Sequence, residues 1–363
     1  MRRILPRSLA LATVAGLVAG CADRAPTEPL AQFRFSTSEA GSRSVTAMTQ
    51  NLYVGADVDA VIGALASPDP NDDVPALLFA IETLGKTDFP ARAAAIADEI
   101  ALARPHVVGL QEVSVIDIDL TALGLPVVVN LDFLAILKAK LAQRGLHYDV
   151  AAQVQNIVAE PIPGISLVDY DAMLVDADRV TVTSAGGQNF ALNVGVVAPG
   201  VELKRGWVWA DVAIDGAPHR VVSTHAEADL AGAHLEQLRA AQVSELVGSL
   251  PSDRPVIVVG DLNDVPGSLM YQVMGGAGFT DVWAALRPGA IGYTCCHEPD
   301  LSDSVAAFDQ RIDYVFARGL GDQRPGLRGK VDRFGEVPSD RTAGPAYPVW
   351  PSDHAGLVAT LGR

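Results

Sequence analysis

The run Val258-Val259-Gly260-Asp261-Leu262-Asn263-Asp264 ends an apolar segment in a turn that presents a carboxylate and a carboxamide side by side. That pair suits attack of water on a phosphate ester. Asp261 could orient and activate the water, and Asn263 could donate hydrogen bonds to a phosphoryl oxygen as negative charge builds. Gly-Asp turns also end strands for structural reasons alone, so the heptapeptide gains its meaning from its company.

Five other polar clusters close apolar runs in the same way. They are Gln50-Asn51-Leu52-Tyr53, Leu110-Gln111-Glu112-Val113, Ser223-Thr224-His225, Arg311-Ile312-Asp313-Tyr314 and Ser352-Asp353-His354. Strand ends in a layered α/β fold gather on one rim, so residues far apart in sequence can converge on one ligand.

The ordered set Asn51, Gln111-Glu112, Thr224-His225, Gly260-Asp261-Leu262-Asn263, Arg311-Ile312-Asp313-Tyr314 and Ser352-Asp353-His354 resembles the endonuclease/exonuclease/phosphatase superfamily. That group includes deoxyribonuclease I, abasic-site endonucleases, bacterial sphingomyelinases and inositol-polyphosphate phosphatases. The likeness runs from about Ser44 to the C-terminus. It implies a four-layered α/β/β/α sandwich of the deoxyribonuclease I type.

The resemblance also implies roles. Glu112 binds a divalent cation, Mg²⁺ or another such as Mn²⁺, with Asn51 and Asp353 supporting that site; a carboxylate is a hard oxygen ligand suited to Mg²⁺. His354 contacts the scissile phosphate or relays a proton, with Asp313 orienting its ring. His225 contributes acid catalysis on the leaving oxygen. Its partner would be Asp169 or Asp171, which share a face of a presumed strand in Val168–Leu174, and Asp169 is preferred. The reaction implied is in-line displacement by activated water without a covalent enzyme intermediate. One departure is Tyr53, where some branches carry Asp; Asn51-Leu52-Tyr53 is similar to the sphingomyelinase form.

The elements that must position these groups follow from periodicity. Helical spacing predicts helices over Ala91–Ala103, Leu131–Arg144 and Ala231–Ser249. Strands are expected at Val45–Asn51, Val107–Val113, Val175–Thr183, Trp207–Ile214, Arg220–His225 and Val256–Asp261, forming two sheets packed face to face with helices outside. The stretch Val113–Asp169 reads as less regular and is expected to shape the substrate rim.

The N-terminus reads as a processing signal. Arg2, Arg3 and Arg7 precede the apolar run Leu9–Val18, and Val18-Ala19-Gly20-Cys21 resembles a bacterial lipoprotein signal whose Cys21 becomes lipidated. The alternative is an ordinary signal peptide in which Cys21 is incidental. The expected organisation is therefore a signal over residues 1–20, lipidated Cys21 with a tether over 21–43, and one domain over 44–363. Ala22 in place of Asp favours outer-membrane or cell-surface anchoring, so the protein is expected outside the cytoplasm and attached to a membrane through Cys21.

The formal net charge of the 363-residue chain is −16. Without Arg2, Arg3 and Arg7, 24 basic residues stand against 43 acidic ones, a charge of −19. Such a surface disfavours strong non-specific binding to DNA, which depends on Lys and Arg neutralising phosphates; a local basic groove or bridging cations would still permit nuclease action. Cys295-Cys296 could form a vicinal disulfide in an oxidising compartment or, with His297, contribute to a zinc site. A structural role or free thiols are preferred to a catalytic one.

The leading expectation is a Mg²⁺-dependent phosphodiesterase acting on a phospholipid head group, a nucleic acid or a small phosphoester. The alternatives are an inositol-phosphate phosphomonoesterase and a non-catalytic surface binding lipoprotein. The sequence makes no protein partner evident.

Overall fold

The computed structural model describes residues 44–362 except 70, 231 and 321–325. The signal over residues 1–20, Cys21 and the tether to residue 43 lie outside the described residues. Among the described residues no helix is long and apolar enough to cross a membrane.

Continuous apolar runs buried on both faces make the central strands. In the larger, ten-stranded sheet, Ser44–Asn51 lies between Gly356–Gly362, which runs antiparallel, and Val107–Gln111, which runs parallel. Ile165–Asp176 follows beside Val107–Gln111, and Tyr148–Ala159 beside that. The second sheet has six strands. Its centre is Gly206–Ile214, Ala217–His225, Val256–Asp261 and Asp313–Arg318, in that order.

The two sheets bury their facing sides against each other. Val45, Ala47, Val107 and Met173 from the first join Val208, Ala210, Val221, Ile257, Val259 and Val315 from the second in one core cluster. Alternation along each strand sends Met48 and Val108 to the other side of the first sheet, where they are also fully buried. The second sheet's outer side carries Val222, Val258, Tyr314 and Phe316. These pack on helices Glu236–Ser249 and Leu269–Gly276 through Val243, Leu246, Met270 and Met274. Helices Phe89–Ala103 and Phe133–Gln143 are joined by Phe89 stacked on Phe133, ring centroids 3.5 Å apart. The result is the expected mixed α/β fold with two large sheets and flanking helices.

Several boundaries differ from the periodicity reading. Val175–Thr183 is not one strand. Asp176 accepts the backbone N–H groups of Asp178 and Arg179 and makes a turn there, so Ile165–Asp176 belongs to one sheet and Val180–Asn189 to the other. The helix expected over Leu131–Arg144 starts at Phe133, capped by Asp132, after a strand Val128–Asp132. The helix expected from Ala231 starts at Glu236.

The stretch Val113–Asp169 is regular after all. Val115–Asp119 alternates exposed and buried residues, and Asp117 and Asp119 on its outer side hide a strand among charges. Helices Val58–Leu65 and Asp73–Thr87 went unforeseen, since Gly63, Pro75 and Gly85 break their pattern.

Candidate active site

The first sheet supplies two groups at its rim. Parallel register sets Asn51 beside Gln111, so Glu112 is the next residue out and leaves the strand at φ 54°. Asn51 Nδ2 donates to Glu112 Oε1 at 2.9 Å and to Asp261 Oδ2 at 3.2 Å, while Asn51 Oδ1 accepts from Tyr53 N–H at 2.8 Å. Val54 N–H donates to Glu112 Oε2 at 2.9 Å. Burial alone would push the Glu112 carboxyl up; the facing His225 and the hydrogen bond from Asn51 hold it below its ordinary value. Asn51 thus presents its amide donors to the carboxylates and has its carbonyl engaged elsewhere. Asn51 lies against Glu112, as a residue that positions this expected metal ligand.

The second sheet supplies three more. Its register sets His225 beside Asp261 and Asp261 beside Asp313, one residue at the end of each of three adjacent strands. Gly260 precedes Asp261 at φ 152°, and a Cβ there would lie 2.0 Å from Thr224 O, so glycine is needed for the strands to stay paired. Asp261 Oδ1 accepts from Asn263 N–H at 2.9 Å. Its Oδ2 faces His225 Nε2 at 3.7 Å and His354 Nε2 at 3.8 Å. Burial and the neighbouring Asp313 push the Asp261 carboxyl up.

His354 arrives from the far end of the chain. Ser352 Oγ donates to Asn51 O at 2.7 Å and accepts from His354 N–H at 3.1 Å, which fixes this segment across the first sheet's rim. His354 Nδ1 lies 2.8 Å from Asp313 Oδ2. Burial works against the imidazolium, yet Asp313, Asp353 and Asp261 together hold His354 well above its ordinary value. Asp353, beside it, is pushed up to about 7 by burial, with Glu112 adding repulsion.

His225 has a different setting. Its Nδ1 lies 3.1 Å from an Arg205 guanidinium nitrogen and 3.7 Å from Asp171 Oδ1. Burial, then Arg205, lowers it to about 4, so it is neutral near pH 7. Asp169 is spoken for by Ser114, whose Oγ donates to it at 2.9 Å. The preference for Asp169 as partner of His225 is therefore corrected: Asp171 is the acid beside the ring. Asn263 Nδ2 lies 3.1 Å from both His225 Nε2 and Ala226 O, so its amide is tied to the His225 end of the site.

Two arginines were missed by sequence reasoning. Arg205, buried and paired with Glu227 at 3.1 Å, supplies the positive charge beneath His225. Arg92 is fully buried and donates to the carbonyls of Leu52, Tyr53, Thr87 and Pro351, tying the loop after Asn51 to the segment before Ser352. Arg92 had a legible signal: it falls on the apolar stripe Phe89, Ala93, Ile96, Ile100, where a charge must have buried partners. Arg205, at a strand's threshold, had none.

Cys295 and Cys296 are joined as a disulfide that borders the site. The zinc alternative fails on His297. Its Nδ1 meets Asp303 at 2.7 Å, its Nε2 meets Gly335 O at 3.0 Å, and its ring stacks on Trp350.

These groups line one cavity of about 250 Å³, bounded by Tyr53, Glu112, Asp169, Arg205, His225, Asp261, Asn263, Asp353 and His354 among others. Glu112 and Asp353 are partly buried carboxylates that repel each other, with Asp261 close by. An all-oxygen, electron-rich set of this kind fits a hard divalent cation such as Mg²⁺. Asp261, Asp313 and His354 also place ligand-type atoms within 4.8 Å of one another, although Asp313 and His354 are already satisfied by each other.

A search of curated protein sequences finds no match. Solved structures give the fold. One is an endonuclease/exonuclease/phosphatase from Beutenbergia cavernae: 22% identity, TM-score 0.56, covering 88% of this chain and 72% of that one. Another is the mannosyl-6-phosphatase Bt3783 of Bacteroides thetaiotaomicron: 16% identity, TM-score 0.53, covering 87% and 99%. A third is D. rerio TDP2 complexed with a single-strand DNA product: 17% identity, TM-score 0.51, covering 88% and 99%. The sequence profile of the Endonuclease/Exonuclease/phosphatase family matches residues 48–354. That span encloses every strand-end group described above, and the chain belongs to the endonuclease/exonuclease/phosphatase family.

Proposed function

We propose that this phosphoesterase is a Mg²⁺-dependent phosphodiesterase that works by in-line attack of water. The observation that carries the reading is the meeting of Glu112, His225, Asp261, Asp353 and His354 in one cavity, drawn from the rims of two sheets, with Asp313 behind His354. Glu112 and Asp353 would hold the cation, which when bound neutralises charge on the phosphoryl oxygens and lowers the pKa of water.

The chain's own residues do the rest. Asp261, its Oδ1 fixed by Asn263 N–H, has Oδ2 available to orient the attacking water and take its proton. His354, held charged by Asp313, meets the negative charge that grows on the phosphoryl group. His225 is neutral and keeps Nε2 on the cavity side, where the ring can hydrogen-bond at the leaving oxygen, which takes its proton from solvent water. The bond from phosphorus to the leaving oxygen breaks as the bond to water's oxygen forms, and the phosphate monoester leaves as product.

A highly charged inositol phosphate is the weaker substrate. The basic groups on this cavity are already committed, Arg205 to Glu227 and His354 to Asp313. Asp57 and Asp59 also stand on its edge, and with a net charge of −16 they oppose a polyanion. The presence of the whole catalytic set weighs against a purely binding role. Location outside the cytoplasm, anchored through lipidated Cys21, rests on the N-terminal signal and is consistent with the paired Cys295 and Cys296.

The test is hydrolysis of bis(p-nitrophenyl) phosphate by the purified protein with Mg²⁺ or EDTA, beside His354→Ala. Metal-dependent release of nitrophenolate that the variant loses is expected. Hydrolysis indifferent to EDTA, or intact in the variant, would refute this reading.

A further inference from the structure

A second cavity adjoins the first and has the opposite chemistry. It lies between helices Val58–Leu65 and Asp73–Thr87 and the strands Val115–Asp119 and Ile165–Asp176. Val61 and Ile62 line it from the first helix, Ala80 and Ile81 from the second, and Ile118 and Ile165 from the sheet. Ser166 is the one hydroxyl-bearing residue among the described lining residues.

Its volume of about 80 Å³ is several times the space one water needs, yet the walls offer water almost no hydrogen-bond partner. A partly open apolar cavity of this kind holds water weakly and favours an apolar ligand.

The two cavities share a wall. Val54, Ala56, Val58 and Leu167 line both. Val54 is the residue whose N–H holds Glu112 Oε2, so the apolar wall begins at the candidate metal ligand itself. A ligand with its phosphate at Glu112 and His354 and a hydrocarbon attached would therefore meet an apolar surface next to the phosphate.

We propose that the apolar cavity seats an alkyl chain of the substrate, making this a hydrolase of alkyl-bearing phosphoesters, the chemistry of a lipid phosphoester. This rests on the phosphodiesterase reading above. The occupant is chosen by that adjacency and by charge: the acidic rim opposes a nucleic acid, whereas a single phosphate bearing a hydrocarbon meets the carboxylates only once, where a cation can screen it.

The test has two arms on the full-length protein with Mg²⁺ bound. In the first, kcat/KM is measured for p-nitrophenyl ethyl, butyl and octyl phosphate. Burial of each methylene is worth about fourfold, so about sixteen-fold is expected between ethyl and butyl. Ala80→Phe, which fills the cavity from a helix outside the catalytic set, should abolish the preference and leave the ethyl ester within twofold. Val61→Phe repeats this from the other helix should the first variant fail to fold.

In the second arm, ethyl phosphate and octyl phosphate are titrated calorimetrically against the wild type and the filled variants. At least tenfold tighter binding of the octyl compound, lost on filling, supports the proposal even where no ester is hydrolysed, an outcome that would sink the phosphodiesterase reading alone. Hydrolysis or binding indifferent to chain length, or a preference that survives filling, overturns the alkyl site and leaves the phosphodiesterase reading standing.

Discussion

His354 Nδ1 lies 2.8 Å from Oδ2 of Asp313, joining residues at the starts of two strands in different sheets. Asp313 sits in the second sheet, and His354 precedes the strand Gly356–Gly362 of the first. The contact closes the rim and holds Nε2 toward Asp261. Replacing Asp313 by Asn removes the negative charge and permits the other ring tautomer. A fall of about 10²–10³-fold in kcat/KM on a simple phosphodiester is expected, within the range for general acid–base groups. A variant that keeps more than half of the wild-type rate would show the dyad to be structural.

Asn51 holds Glu112 by its amide and engages Tyr53 N–H with its carbonyl. Asn51→Ala should weaken Mg²⁺ binding by about 10–100-fold, the usual effect of losing a group that orients a metal ligand. Titration calorimetry reads this directly. Unchanged affinity would place the cation away from Glu112.

Arg205 lies against His225 Nδ1 and helps to keep the ring neutral. Removing a neighbouring cation favours the imidazolium, so Arg205→Met should raise the His225 pKa from about 4, followed by NMR titration of the ring protons. The same change leaves Glu227 buried without its partner and should cost about 3–5 kcal/mol in a denaturant melt. A ring that titrates as before would assign the low value to burial alone.

Asp211 tests acid stability away from the site. Arg220 grips it with two nitrogens at 2.7 Å each, and this lowers its pKa against the upward push of burial. A carboxylate depressed in the folded state stabilises fully above its unfolded value of about 4 and loses that contribution as pH falls through the folded value. Asp211→Asn should therefore cost about 1–2 kcal/mol at pH 7 and less at pH 2. Equal losses at both pH values would mean the charge is irrelevant.

Gly109 marks where the sheets touch. A Cβ there would lie 2.5 Å from Ser223 Oγ and 2.6 Å from Val259 Cγ2, atoms of the opposite sheet. Gly109→Ala should destabilise the fold by about 1–3 kcal/mol, measured by thermal and urea melts. A neutral result would mean that the sheets can part at this point without cost.

Strand ends were legible because apolar runs stop abruptly at polar residues, and burial enforces that boundary on any sheet core. That made Asn51, Glu112, His225, Asp261 and Asp313 readable as residues at or just beyond strand ends. The strand Val115–Asp119 escapes because its outer face carries Asp117 and Asp119, and the run Val175–Thr183 reads as one strand because the turn over Asp176–Arg179 is short and flanked by Val175 and Val180-Thr181. Periodicity reports which face is buried; it does not report where the chain changes sheets.

By itself the sequence determined the family, the α/β class and the polar groups that line the rim, because these follow from local alternation and from the order of short motifs. Only the tertiary structure decided which of them touch. Asp169 and Asp171 share a face by the two-residue period, so no local rule separates them; packing gives Asp169 to Ser114 and leaves Asp171 beside His225. The charge of Arg205 under His225, the carbonyls gathered by Arg92 and the apolar cavity beside Glu112 likewise depend on how two sheets and their helices meet, a matter of distances between segments that no pattern within one segment encodes.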